Sequence, residues 1–315
     1  MPNARALACP ASLKGALPAR DAAAALARGL RTWAEADELP VADGGEGTLN
    51  ALHAALGGGW REAHVHDAFG RPRVARWLLL PDGTAAVEAA EAIPLDPRRL
   101  DPFAASSRGL GEVIAAVGEP VALLVCLGGT ANVDGGAGLR EVVRELPSPT
   151  RVACDVDVPL VDAARVFAAQ KGAGPADALE LERRLLAMPE LREVSELPGA
   201  GAAGGLGAAL AALGAELVPG ARLVLDTVGF APGGYDLVVS GEGTLDATSF
   251  RGKAPGEVAR RSAAAGVRCV LFGGRVVESP PGVEAAALSG NPGRAREDLE
   301  ELGRSLGGVN AFACG

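Results

Sequence analysis

Short apolar runs, glycine-rich stretches and alanine- and leucine-rich segments follow one another repeatedly along the chain. "RALACPASLKG" reads as a strand and loop, and "DAAAALARGLRTWAEA" as a helix. "ELPVADGGEG" reads as a strand and loop, and "TLNALHAALGG" as a helix closed by Gly57. "VALLVCLGGTANVDGGAG" is a buried strand with a long loop that leads into "LREVVREL". "YDLVVSGEGTLD" is another strand and loop, followed by the helix "PGEVARRSAAAG" and the strand "VRCVLFGG". Uninterrupted apolar strands alternating with helices predict an α/β fold with largely parallel, buried strands. Residues 62–95 depart from this pattern. Their rough two-residue alternation and "PDGT" turn predict antiparallel strands, where a second layer or domain begins. "ALELERRLLAM" (178–188) is amphipathic and reads as a packed surface helix.

Composition narrows the class. The 315 residues suit one large domain or two modest ones, and 48% hydrophobic against 22% charged residues is an ordinary globular balance. Aromatics are only 3%, so the core has to be built from Ala, Leu and Val. A net charge of −9 without a basic stripe argues against a nucleic-acid partner and for small-molecule chemistry. Cys9, Cys126, Cys154, Cys269 and Cys314 are scattered, with no C-x-x-C pair. They read as buried thiols in a reducing compartment. No basic leader with a long apolar run and no 18-residue apolar stretch is visible, so the expected location is the cytoplasm, with no membrane partner.

Of the 30 basic residues, only Lys14, Lys171 and Lys253 are lysine. Positions that keep Lys against so strong an Arg bias are candidates for needing a compact ammonium. All three adjoin glycine.

The chemistry is expected in the loops. No G-x-x-x-x-G-K-[ST] occurs. Gly199, Gly201 and Gly204 form a G-x-G-x-x-G, but it follows Pro198 rather than a clear strand, which makes it a weak dinucleotide fingerprint. An anion could still sit where this segment opens the helix near Leu206. More specific is the repeated pairing of glycine with carboxylate after an apolar strand. It occurs as "ADGGEGT" (Asp43, Glu46), "VDGGAG" (Asp134) and "SGEGTLD" (Glu242, Asp246), while "VACDVDVP" adds Asp155 and Asp157. Loops at the carboxyl ends of parallel strands converge on one crevice. Bare backbone amides there could hold phosphate, carboxylates could hold Mg²⁺, and lysines could offset charge on a transferring group. The competing reading is that each loop is a tight turn with an Asp near a helix start. His53 reads as packed or exposed, and His64 and His66 lack a third ligand for a metal. The serines lack an elbow sequence, and Cys154 reads as a buried thiol.

Taken in order, these loops resemble the bacterial type I glycerate kinase family over most of the chain. "SLKGAL" (12–17) is similar to that family's D-S-F-K-G-S-L, and "PVADGGEGT" (40–48) matches as it stands. "SSRGLGEV" (106–113) is similar to its T-x-Y-G-T-G-E-L, and "GGTANVDGGAG" (128–138) to G-G-S-A-T-N-D-G-G-A-G. "VACDVDVPL", "QKGA", "PGAGAAGGLG" and "DLVVSGEGTLD…GKAPGEVA" complete the run, and all three lysines fall within it.

The resemblance implies two α/β domains with a cleft between them. One would be Rossmann- or flavodoxin-like and built from both chain ends (1–61 plus 233–315), and the other inserted (62–232). It implies transfer of the ATP γ-phosphoryl group to D-glycerate with Mg²⁺, giving 2-phosphoglycerate, in a monomer or homodimer. Lys14, Asp134, Asp155 and Lys171 are then the expected catalytic residues, with Asp134 and Asp155 as the candidate bases. Ser12, Gly44, Gly45, Gly128, Gly129, Gly135, Gly136, Gly241 and Lys253 are expected to bind substrate or phosphate. Asp43, Glu46, Glu242 and Asp246 are expected on the metal side.

Departures from the family pattern are Ala11 for its leading Asp, Asn132 and Val133 for Thr and Asn, Val158 for Asn, "AAQKGA" for "GPQKGA", and Thr244 for an Arg. The stretch from Gly138 to Val152 is also short. These changes motivate a second reading, a substrate-shifted or non-catalytic relative that binds a sugar acid or nucleotide. A dinucleotide-dependent oxidoreductase using Gly199–Gly204 is a third.

Overall fold

The computed structural model describes residues 4–250, 252–279 and 282–307, so Cys314 lies outside the described residues. Its strands are β1 (Arg5–Ala8), β2 (Glu35–Glu38), β3 (Gly59–His66), β4 (Pro72–Leu79), β5 (Thr84–Glu88), β6 (Ala122–Cys126), β7 (Thr150–Cys154), β8 (Glu216–Pro219), β9 (Leu237–Leu245), β10 (Arg268–Val276) and β11 (Glu284–Ala287). The chain divides into two compact units. One draws on the described residues of Met1–Asp43, Asn50–Ala55 and Val224–Gly315. The other comprises Gly44–Leu49 and Leu56–Leu223.

The first unit carries a parallel sheet in the order β11-β10-β9-β1-β2. Its interior strands are apolar because helices cover them. Ala6, Ala8, Val239, Val270 and Phe272 share a core with Leu26 and Leu30 of helix Ala19–Leu30 and with Leu299 of helix Ala295–Ser305. Two elements differ from the sequence expectation. The second strand is the polar segment Glu35–Glu38, not the apolar Leu39–Val41. As an edge strand, β2 pairs only with β1 and buries only Ala36, so it needs no apolar run. "SGEGTL" is strand rather than loop, because β9 stays paired with β10 as far as Leu245 with Val276.

The second unit carries a mixed sheet in the order β3-β4-β5-β6-β7-β8. β3, β4 and β5 pair antiparallel, as the alternation in 62–95 predicts. From β5 to β8 the pairing is parallel. Leu123, Val125, Leu127 and Val152 pack with Leu110, Leu139 and Leu206 in the main core, and Leu181 and Leu185 of helix Pro175–Leu186 close a second one. In register, Glu88 lies opposite Cys126, and Cys126 opposite Ala153. β5, β6 and β7 therefore end along one edge of the sheet, where ligand-binding loops of open α/β sheets gather. No helix among the described residues is long and apolar enough to cross a membrane.

Candidate active site

That edge of the second unit brings together three of the segments singled out in the sequence. Gly44 and Gly45 lie against the turn Gly128–Gly129, with Gly128 N donating to Gly44 O at 3.4 Å. The approach demands glycine, since a Cβ at Gly128 would stand 2.5 Å from Gly45 Cα. It would also stand 3.0 Å from Asp155 Oδ2, so the exposed Asp155 carboxylate lines the same turn. The exposed Glu46 side chain lies beside Gly129.

Asp134 is differently placed. Its Oδ2 accepts from Ser107 N (2.8 Å), Ser107 Oγ (2.7 Å) and Gly138 N (3.1 Å). Its Oδ1 accepts from Asn132 Nδ2 (2.9 Å) and Gly136 N (3.1 Å). A carboxylate offers about four lone-pair sites, so these donors occupy it fully. Asp134 is the pin of its loop. The amide of Gly136 is spent on that pin, and the amide of Gly135 on Gly204 O at 3.0 Å. Both amides, expected from sequence to face an anion, are thus engaged within the protein.

Lys171 lies in the interior of the second unit. It is 3% exposed, and its Nζ donates to the main-chain carbonyl of Asn132 at 2.6 Å. Burial pulls its pKa down to about 8, against the opposing pull of Asp134 and Asp155. It supports the loop from beneath while balancing the two carboxylates.

The "PGAGAAGGLG" segment completes this support. Ala203 O accepts from Asn132 Nδ2 at 3.0 Å. A Cβ on Gly204 would stand 2.3 Å from Asn132 O, so glycine is needed to let the two backbones touch. Gly204 of the G-x-G-x-x-G thus serves a backbone contact within the protein.

In the first unit, a cavity of about 360 Å³ opens beside the loop after β1 and the ends of β9 and β10. Lys14, Thr244, Arg275 and Asn291 line it. Ser12 is half-buried in the loop that carries Lys14. Glu242 accepts from Ser249 Oγ at 2.6 Å and lies 3.6 Å from Lys253 Nζ. Burial pushes its pKa up, opposed by Ser249 and Lys253 and reinforced by Asp43. Asp246 is engaged by its own turn, with Oδ1 accepting from Thr248 N and Thr248 Oγ1. Gly241 is buried within β9, and its carbonyl accepts from Ala11 N at 2.9 Å.

Two residues escaped the sequence reading. Ser107 is fully buried on Asp134, and Glu88 is 4% exposed at the end of β5. The available signal for Glu88 was a lone acid closing the apolar run "TAAVE".

The model of the Glycerate kinase family matches residues 6–143 and 140–291. The chain belongs to the glycerate kinase family. It is 36% identical over 301 residues to the glycerate 2-kinase of Escherichia coli (strain K12), covering 78% of each chain. It is 35% identical over 323 residues to the glycerate kinase of Bacillus subtilis (strain 168), covering 85% of this chain and 84% of that one. A crystal structure of a candidate glycerate kinase 2 from Salmonella typhimurium LT2 superposes with a TM-score of 0.83 at 28% identity, covering 98% of each chain.

Within this glycerate kinase family, the departures at Val133 and Asn132 have a physical explanation. Val133 is 3% exposed in the core with Leu160, Leu181 and Leu185, so an apolar residue suits the position. Asn132 supplies the polar contact to Asp134 from the neighbouring position. Ala11 is tied by its backbone, and Thr244 lines the cavity. The two matched segments of the family model meet at 140–143, in the stretch that is short in this chain.

Proposed function

We propose that this kinase transfers the γ-phosphoryl group of ATP to the C2 hydroxyl of D-glycerate, giving 2-phosphoglycerate and ADP. The observation that carries the residue assignment is the exposed Asp155 carboxylate beside the glycine turn Gly128–Gly129, with Asp134 fully committed to its own loop. In this reading Asp155 accepts the proton of the attacking hydroxyl. The hydroxyl oxygen forms the new P–O bond as the bond from γ-phosphorus to the β–γ bridging oxygen breaks, and ADP carries away that electron pair. Such a transfer relies on positioning and charge neutralisation rather than covalent catalysis.

Lys14 and Arg275, which line the cavity of the first unit, are suited to anionic oxygens of the substrates. Asp43 and Glu242 offer hard oxygen donors that repel one another. That fits Mg²⁺, which binds through one or two carboxylates together with substrate phosphates. When bound, the ion would neutralise phosphate charge. Lys253 sits beside Glu242 and tempers the repulsion.

The test is ADP release from ATP with Mg²⁺, measured with and without D-glycerate. Stimulation by D-glycerate supports the reading. ATP binding without product across a panel of hydroxy acids would favour the non-catalytic alternative instead.

A further inference from the structure

Glu88 is a buried acid that none of the roles above uses. It closes β5 and is 4% exposed. Its two carboxylate oxygens are divided between two amides of one loop. Oε1 accepts from Gly47 N at 2.9 Å and Oε2 from Leu49 N at 3.2 Å. These amides open helix Thr48–Leu56, where the first N–H groups have no partner within the helix. The positive end of the helix dipole also favours an acid there. On the other side of the same turn, Gly45 O accepts from Thr48 Oγ1 at 2.6 Å. The segment held in this way is the one whose Gly44 O meets Gly128 N and whose Glu46 lies beside Gly129.

We propose that Glu88 is a positioning residue for the glycine–acid loop: its carboxylate clamps Gly47 and Leu49 and so fixes Gly45 and Glu46 against the Gly128–Gly129 turn. The charged groups facing it are Glu46 from the loop, Glu91 from the helix after β5, and Arg76 from β4. Burial, reinforced by Glu91 and Glu46, pushes its carboxyl up to about 7 against the opposing pull of the Gly47 and Leu49 amides. The closed loop therefore holds this carboxyl above its ordinary value, so proton uptake favours the closed loop over the opened one as pH falls through neutrality.

The proposal rests on the kinase reading only for its catalytic readout, and two of its three tests do not need turnover. Glu88→Gln keeps the side-chain size but turns an NH₂ toward one of the two amides. In hydrogen exchange followed by mass spectrometry, residues 44–50 of this variant are expected to exchange about tenfold faster, with β6 and β7 unchanged. Where D-glycerate-dependent turnover is present, kcat should fall by a similar factor. Wild-type protein alone gives the third test. After correction for intrinsic exchange, protection of residues 44–50 should increase from pH 8 to pH 6, because the closed loop binds the Glu88 proton more tightly than the opened one. Unchanged protection in the variant, or pH-independent protection in the wild type, overturns the clamp. Altered exchange with no turnover in wild type would retain the clamp and reject the kinase reading.

Discussion

Lys171 Nζ donates to the carbonyl oxygen of Asn132 at 2.6 Å, beneath the loop that Asp134 pins. A long cation brought to 3% exposure for one main-chain carbonyl is a support, with its charge set against Asp134 and Asp155. Lys171→Met should leave that carbonyl unpaired and the carboxylates uncompensated. The expected loss is about 1–3 kcal/mol in urea unfolding, accompanied by lower kcat. Lys171→Arg should not restore either quantity, because a buried site shaped for an ammonium has no room for the guanidinium fork.

Asp134 and Asp155 should separate cleanly under substitution. Asp134→Asn places an NH₂ among five donors, and should cost roughly 1–3 kcal/mol of stability. Asp155→Asn changes an exposed side chain and should leave stability within about 0.5 kcal/mol. Its kcat should drop by roughly 10²- to 10⁴-fold, as for loss of a general base. Paired thermal melts and turnover measurements decide the assignment, and the reverse pattern would exchange the two roles.

Lys14→Met should abolish turnover while leaving the melting temperature and far-UV circular dichroism unchanged, since Lys14 is exposed at the rim of its cavity. Wild-type turnover in that variant would remove Lys14 from the mechanism.

Glu88 makes stability depend on pH in a calculable direction. Its folded-state pKa, about 7, lies above the ordinary 4.5, so the native state binds more protons than the unfolded chain between these values. The favourable contribution is complete below pH 4.5 and is lost as pH rises through 7. At about 1.4 kcal/mol per pH unit, the loss is about 3 kcal/mol. Glu88→Gln should flatten urea-unfolding free energy over that window relative to wild type.

The elements legible in the sequence are those whose partners are general. Leu123–Val125 and Val238–Val239 are buried strands, and any apolar run of that length between turn signals says so. β2 was not legible, because an edge strand that buries only Ala36 has no pattern to show. The glycine–acid loops were legible as a group, but their division of labour was not. Gly135 and Gly136 look like Gly44 and Gly45 in sequence, yet their amides are consumed by Gly204 O and Asp134. Val133 looked like a lost polar group until its place beside Leu160 and Leu185 was visible. Glu88 is separated by 41 and 39 positions from the amides it holds. No local pattern encodes a contact of that range.

The most direct test of the central claim is ³¹P NMR of the product formed by purified protein from ATP, Mg²⁺ and D-glycerate. The account predicts ADP and a phosphomonoester on C2 of glycerate in equal amounts. ADP formation indifferent to D-glycerate, or no phosphorylated acid at all, would contradict it.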